Sequence, residues 1–315
     1  MTTDRQPAHL QPEGVALRPG RLAARWWLPR LALAVLVGLA LGIAIDLVRG
    51  GVMHTWLRYG TLLVYVPRGE QVEIRPGHSL YIDCRGAGSP TLVLEAGMGS
   101  DSSTWSPVHD DLAAITRTCA YDRTGRGRSD AGTAADLAGM SGELQVVLAA
   151  SGERPPYVLV GHSLGTVIAR VHASLRPADV AGLVLVDGFD PDIFDSAVLP
   201  LLGPFRDGYL HHTSGLWRLV ASVEGIDVER SREQLAMANV TGLRLEVVNA
   251  ARYEGGLDDA ANERIVAARE AAYEALSPGG VTLTIAYGAG HMVQFDRPDL
   301  VIEAVRRLVE AIRAG

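Results

Sequence analysis

The stretch Pro155-Pro156-Tyr157-Val158-Leu159-Val160-Gly161-His162-Ser163-Leu164-Gly165 constrains this chain more than any other. An apolar run stops at Gly-His-Ser-Leu-Gly, and a helix-compatible segment from Thr166 to Leu175 follows without a gap. So sharp a turn from strand to helix forces the serine into an unfavourable backbone conformation and leaves no room for a side chain two positions before or after it. Gly161 and Gly165 occupy those positions. The pattern predicts that Ser163 Oγ projects from the end of a sheet, with the Leu164 N–H beside it as a hydrogen-bond donor.

A chain of 315 residues can hold one large domain or two small ones, and 48% hydrophobic residues with 35 glycines suit a tightly turned α/β core. The formal charge of -7, with no basic cluster outside the N-terminus, argues against a nucleic-acid partner. Only two cysteines occur, Cys84 and Cys119, in no CxxC pair and with no Cys/His spacing suited to zinc, so a zinc site is not expected, and the serine chemistry argued below requires no metal or other cofactor.

Residues 1–25 are rich in Pro, Arg and Gln without apolar periodicity and read as a disordered cytoplasmic tail. Leu31 to Ile45 is then uninterrupted and apolar, and with Trp26, Trp27, Leu47 and Val48 the segment reaches the ~20 residues that a bilayer requires. Arg18, Arg21, Arg25 and Arg30 precede the run while arginines thin out after it, so residues 26–50 read as a transmembrane helix or signal anchor that leaves the rest outside the cytoplasm. A cleaved signal peptide is the alternative, and it exports the same portion. Residues 51–70 form a juxtamembrane linker.

From residue 71 onward strands and helices alternate. Gln71–Ile74 and Ser79–Asp83 read as a hairpin across Pro76-Gly77, and Thr91–Glu95 as a buried strand before Ala96-Gly97-Met98-Gly99. A helix over Trp105–Ile115, a strand over Thr118–Tyr121 and a helix over Ser141–Ala150 lead to the Ser163 strand, after which Gly182–Val186 ends at Asp187. The regular pattern lapses from about 189 to 241, where Leu199, Leu201, Leu202, Phe205, Leu216 and Trp217 suggest an apolar helical cap. Leu243–Val248, a helix over Asn262–Leu276, and Val281–Tyr287 resume the sheet, and a helix over Pro298–Ala314 closes the chain. Such alternation implies a mostly parallel sheet covered on both faces, with Ser163, Asp187 and the Gly97 loop at the carboxyl ends of its strands.

A serine hydroxyl needs a base held in the right tautomer by a third group. His291 follows the last strand in a glycine-flanked turn, Gly288-Ala289-Gly290, and is the candidate base. Asp187 is the first candidate for the acid, with Asp258 or Asp259 as alternatives in the loop after Leu243–Val248. The N–H groups of Met98 and Leu164 are the candidate oxyanion donors. Tyr121-Asp122-Arg123-Thr124-Gly125-Arg126-Gly127-Arg128-Ser129 follows a strand, but it lacks the endings and spacing of a phosphate loop.

Four segments in this order, Glu95-Ala-Gly-Met-Gly, Asp122-Arg-Thr-Gly-Arg-Gly-Arg-Ser, Gly161-His-Ser-Leu-Gly and Gly290-His291 with Asp296-Arg-Pro298, resemble the α/β-hydrolase superfamily. More narrowly they are similar to its bacterial serine hydrolases with an N-terminal membrane segment. The resemblance spans residues 71–315 and implies an eight-stranded, mostly parallel sheet with helices on both faces, a cap, and a Ser-acid-His mechanism acting on a small-molecule acyl ester. A peptidase or thioesterase on the same residues, and a noncatalytic binder that kept the fold, are the other readings. Two departures stand out: Ala96-Gly97 replaces the usual His-Gly of the oxyanion loop, and Thr166 replaces a frequent glycine after the turn. The resemblance also lays the strand ending at Cys84 beside the one carrying Cys119, so a disulfide is feasible in an exported domain. Oligomeric state has no signature in the chain.

Overall fold

A computed structural model describes residues 66–188, 220, 223–251 and 259–315. The chain divides into two units, 1–60 and 61–315, and the described residues all belong to the second. The membrane segment expected at 26–50 and most of the expected cap lie outside them. Among the described residues no helix is long and apolar enough to cross a membrane.

Eight strands form one sheet: β1 (Glu70–Arg75), β2 (His78–Arg85), β3 (Thr91–Glu95), β4 (Thr118–Tyr121), β5 (Tyr157–His162), β6 (Val180–Val186), β7 (Arg244–Ala250) and β8 (Val281–Ala286). Their spatial order is β1-β2-β4-β3-β5-β6-β7-β8. The β1/β2 and β2/β4 pairs are antiparallel and every other pair is parallel. The helices are α1 (His109–Ile115), α2 (Leu137–Ala150), α3 (Leu164–Leu175), α4 (Val228–Met237), α5 (Asp259–Leu276), α6 (Val293–Asp296) and α7 (Pro298–Arg313).

The central strands are mostly apolar because alternate residues serve two cores. Leu92, Leu94, Val158, Val160, Val184 and Val186 face one side, against Leu112 of α1 and Val301, Val305 and Leu308 of α7. Val93, Leu159, Leu183, Leu185 and Val247 face the other, against Leu144 and Leu148 of α2, Ala169 and Ala173 of α3, and Tyr273 of α5. A third cluster joins α2, α3 and α4 through Leu137, Val167, Ile168 and Leu235.

Element boundaries shift where a cap decides them. Helix α2 begins at Leu137 rather than Ser141 because the Asp136 carboxylate accepts the Gly139 N–H, satisfying a donor in the first turn. The helix expected over Trp105–Ile115 is broken in two, a 3₁₀ turn at Ser102–Trp105 capped by Asp101 and then α1. Helix α4 falls within the region expected as cap.

Candidate active site

The parallel strands deliver their carboxyl ends to one edge of the sheet, and the expected groups collect there. Ser163 sits between β5 and α3 with φ 52° and ψ -121°, a conformation that costs a residue with a side chain ~1–3 kcal/mol. The turn is possible only because its flanks are bare. A Cβ on Gly161 would stand 2.5 Å from the Gly165 carbonyl oxygen, and one on Gly165 would stand 2.3 Å from that of Glu95. Thr166, where a glycine was the more frequent residue, donates its hydroxyl to the Ser163 carbonyl at 2.7 Å and so fastens the turn.

Asp187, directly after β6, is the other residue with a side chain at positive φ among the described residues, at 40°. Its Oδ2 lies 2.6 Å from His291 Nδ1. Its Oδ1 accepts the Ala250 N–H at 3.0 Å and a guanidinium N–H of Arg269 at 2.9 Å. Burial works against the negative charge, but Arg269, the His291 bond and the Ala250 N–H outweigh it and hold the carboxyl well below the usual carboxylate range. An ionised Asp187 can only accept, so His291 Nδ1 carries a proton, and in the neutral ring Nε2 is the acceptor nitrogen. Of the other candidate acids, Asp258 lies outside the described residues and Asp259 opens α5.

His162 fixes the loop that carries the candidate base, His291. Its Nε2 donates to the His291 carbonyl at 2.9 Å, and the two imidazole rings lie 4.7 Å apart. Burial and the neighbouring His291 ring bring the His162 pKa down to about 3, so this ring is neutral at ordinary pH. On its other side the loop of the candidate oxyanion donor Met98 comes close: a Cβ on Gly97 would sit 3.1 Å from His162 Nδ1 and 3.3 Å from Ser163 Cβ. A side chain there would make His162 or Ser163 give way by a few tenths of an ångström. Among the described residues the N–H groups of Met98 and Leu164 have no hydrogen-bond partner.

Two polar networks beside these groups were not foreseen. Arg269 of α5 joins Asp187, the Gly188 carbonyl and Asn249. Its signal was a charge on the helix stripe Ile265, Arg269, Tyr273, whose two flanking members are buried. Arg123, from the segment that was weighed as a phosphate loop, is buried between Glu95 and Glu224 at 2.7 and 3.0 Å. Its signal was Glu95, a charge ending an otherwise apolar strand.

Cys84 and Cys119, opposite one another on β2 and β4, are joined in a disulfide. With Glu153 they form the one cluster of potential metal ligands among the described residues, but sulfurs in a disulfide are not thiolates and cannot serve as ligands of that kind.

The profile of the alpha/beta hydrolase family matches residues 92–304. Among curated proteins, the uncharacterized protein YqjL of Bacillus subtilis is 38% identical over 104 residues, which is 33% of this chain and 41% of that protein. RutD of Pseudomonas savastanoi pv. phaseolicola, provisionally named a carbamate hydrolase, is 37% identical over 111 residues, 34% of this chain and 41% of its own. The chain thus spans less than half the length of these relatives. Among solved structures, the esterase RhEst1 from Rhodococcus sp. ECU1013 superposes with a TM-score of 0.52 at 22% identity, over 78% of this chain and 99% of that one.

Proposed function

Because the chain belongs to the alpha/beta hydrolase family, we propose that it is a serine hydrolase that cleaves carboxylic esters through an acyl-enzyme on Ser163. The observation that carries this reading is the 2.6 Å bond from His291 Nδ1 to Asp187, which sets the imidazole tautomer a general base requires. Ser163 Oγ attacks the acyl carbonyl while His291 Nε2 takes its proton, and the imidazolium so formed is stabilised by Asp187. The oxyanion is held by the N–H groups of Met98 and Leu164. Collapse breaks the bond to the alcohol, which leaves with the proton from His291. Water, deprotonated by the same ring, then attacks the acyl-enzyme and releases the acid with Ser163 restored.

A carbamate, the substrate class in the name of RutD, presents the same carbonyl to the same groups and forms the second reading. For location, the apolar segment at 26–50 supports a membrane-held protein with its catalytic domain outside the cytoplasm. The Cys84–Cys119 disulfide supports an oxidising compartment.

The test is fluorophosphonate labelling of the full chain in detergent, followed by hydrolysis of p-nitrophenyl esters of graded acyl length and of an aryl carbamate. Labelling and turnover lost together in Ser163→Ala are expected. An unlabelled wild-type protein, or label that persists in Ser163→Ala, refutes the reading and leaves the noncatalytic binder in its place.

A further inference from the structure

The buried charges Glu95, Arg123 and Glu224 have no part in the reaction as written, yet Arg123 and Glu224 both bond the Ala96–Gly99 loop, while Glu224 Oε2 also lies 3.4 Å from Arg126 Nε. Arg123 Nη1 donates to the Ala96 carbonyl and Nη2 to the Gly97 carbonyl, each at 2.7 Å. The same Nη2 reaches Glu224 Oε1 at 3.0 Å, and that oxygen accepts the Gly99 N–H at 2.6 Å. Glu95 accepts from Arg123 Nη1 at 2.7 Å and from the Tyr121 hydroxyl, which fixes the guanidinium from behind.

A trans peptide is planar, with its C=O and N–H pointing in opposite directions. Among the described residues the cis bonds are Ser89-Pro90 and Pro155-Pro156, so the loop peptides are all trans. Holding the Gly97 carbonyl therefore aims the Met98 N–H, because both belong to one peptide plane. The plane before it is held through the Ala96 carbonyl and the plane after it through the Gly99 N–H. Three successive planes are thus pinned by one arginine and one carboxylate, beside the Ser100 N–H that also donates to the Gly97 carbonyl at 3.2 Å.

We propose that Arg123 and Glu224 are positioning residues that aim the Met98 N–H at the oxyanion, so that transition-state binding depends on a bidentate guanidinium bridged to a carboxylate from the region expected as the cap. This rests on the serine hydrolase reading above. The carboxylate contributes as an acceptor, so its amide serves nearly as well. A lysine in place of Arg123 cannot span both carbonyls and Glu224.

The experiment compares Glu224→Leu, Glu224→Gln and Arg123→Lys in the full chain. Each is normalised to folded protein by near-UV circular dichroism, with kcat, KM and the inhibition constant of an alkyl boronic acid measured on one ester. Losing a whole oxyanion donor costs ~10²–10³ in kcat, and a misaimed donor costs less. Glu224→Leu is expected to lower kcat about 10-fold to 100-fold and weaken the boronate in parallel, with KM within about twofold and Glu224→Gln within about threefold of wild type. Wild-type kcat in folded Glu224→Leu, or equal losses in the Leu and Gln variants, overturns the proposal. Amide hydrogen exchange over residues 96–100 separates the two readings. If the wild-type protein hydrolyses nothing, the enzymatic reading fails. Unchanged exchange in Glu224→Leu defeats the positioning role on its own, whereas faster exchange confined to the loop supports it.

Discussion

Two histidines buried as neutral rings give this fold a steep acid dependence whose size follows from their surroundings. Burial and the adjacent His291 ring lower the His162 pKa to about 3. Burial and Arg176 lower that of His172, which is bonded to Ser141 Oγ at 2.9 Å, to about 4. In the unfolded chain both titrate near ~6.5. A proton therefore binds the unfolded state first as the pH falls, so stability is complete above ~6.5 and is lost between there and the folded values. At pH 5 both folded values have yet to be reached, and each ring costs about 2 kcal/mol at ~1.36 kcal/mol per pH unit. The pair costs about 4 kcal/mol, a large part of the ~5–15 kcal/mol of a typical domain. His109, lowered chiefly by burial, acts in the same direction. Glu95 and Asp122, raised chiefly by burial, act in the opposite one. These background groups are common to wild type and His172→Gln, so the comparison isolates one ring. Urea denaturation at pH 7.5 and pH 5 should show the variant losing about 2 kcal/mol less than wild type over that interval. Equal losses would refute the assignment of His172 as a neutral buried ring.

Asp187→Asn is expected to reduce kcat by about 10⁴ with KM little changed, because the amide can donate and so favours the wrong imidazole tautomer; near-normal turnover in a steady-state ester assay would remove Asp187 from the mechanism. Gly161→Ala should fail to yield folded protein, since its Cβ would meet backbone at 2.5, 2.6 and 2.7 Å, while Gly142→Ala in the interior of α2, where a Cβ meets nothing within 4 Å, should gain about 0.5–1 kcal/mol in a urea melt. Replacing both Cys84 and Cys119 by alanine opens a loop with a sequence separation of 35, which by chain entropy costs about 4 kcal/mol and should lower the denaturation midpoint under oxidising conditions, with no further change on adding a dithiol reductant.

What could be read from the chain was whatever adjacent residues enforce on one another. The turn at Ser163 is a steric contract among five consecutive residues. The strands are short apolar runs, and both leave their mark in order along the sequence. The choice among Asp187, Asp258 and Asp259 had no such mark, because three long-range partners fix Asp187: Ala250, Arg269 and His291, at separations of 63, 82 and 104 residues. The same holds for Glu224, which is 101 residues from Arg123 and 125 from Gly99. Still, the need for partners was legible even where their identity was not. A charge buried without an opposite charge or donors is too costly to keep. Glu95 at the end of the apolar strand Thr91–Glu95, and Arg269 between Ile265 and Tyr273 on one helix stripe, each demand a counterpart inside the protein. Asking of every such misplaced charge where its partner must lie leads to Arg123 in the first case and to Asp187 in the second. Both partners border the proposed reaction centre, where a fixed backbone and a fixed imidazole justify keeping charge out of water.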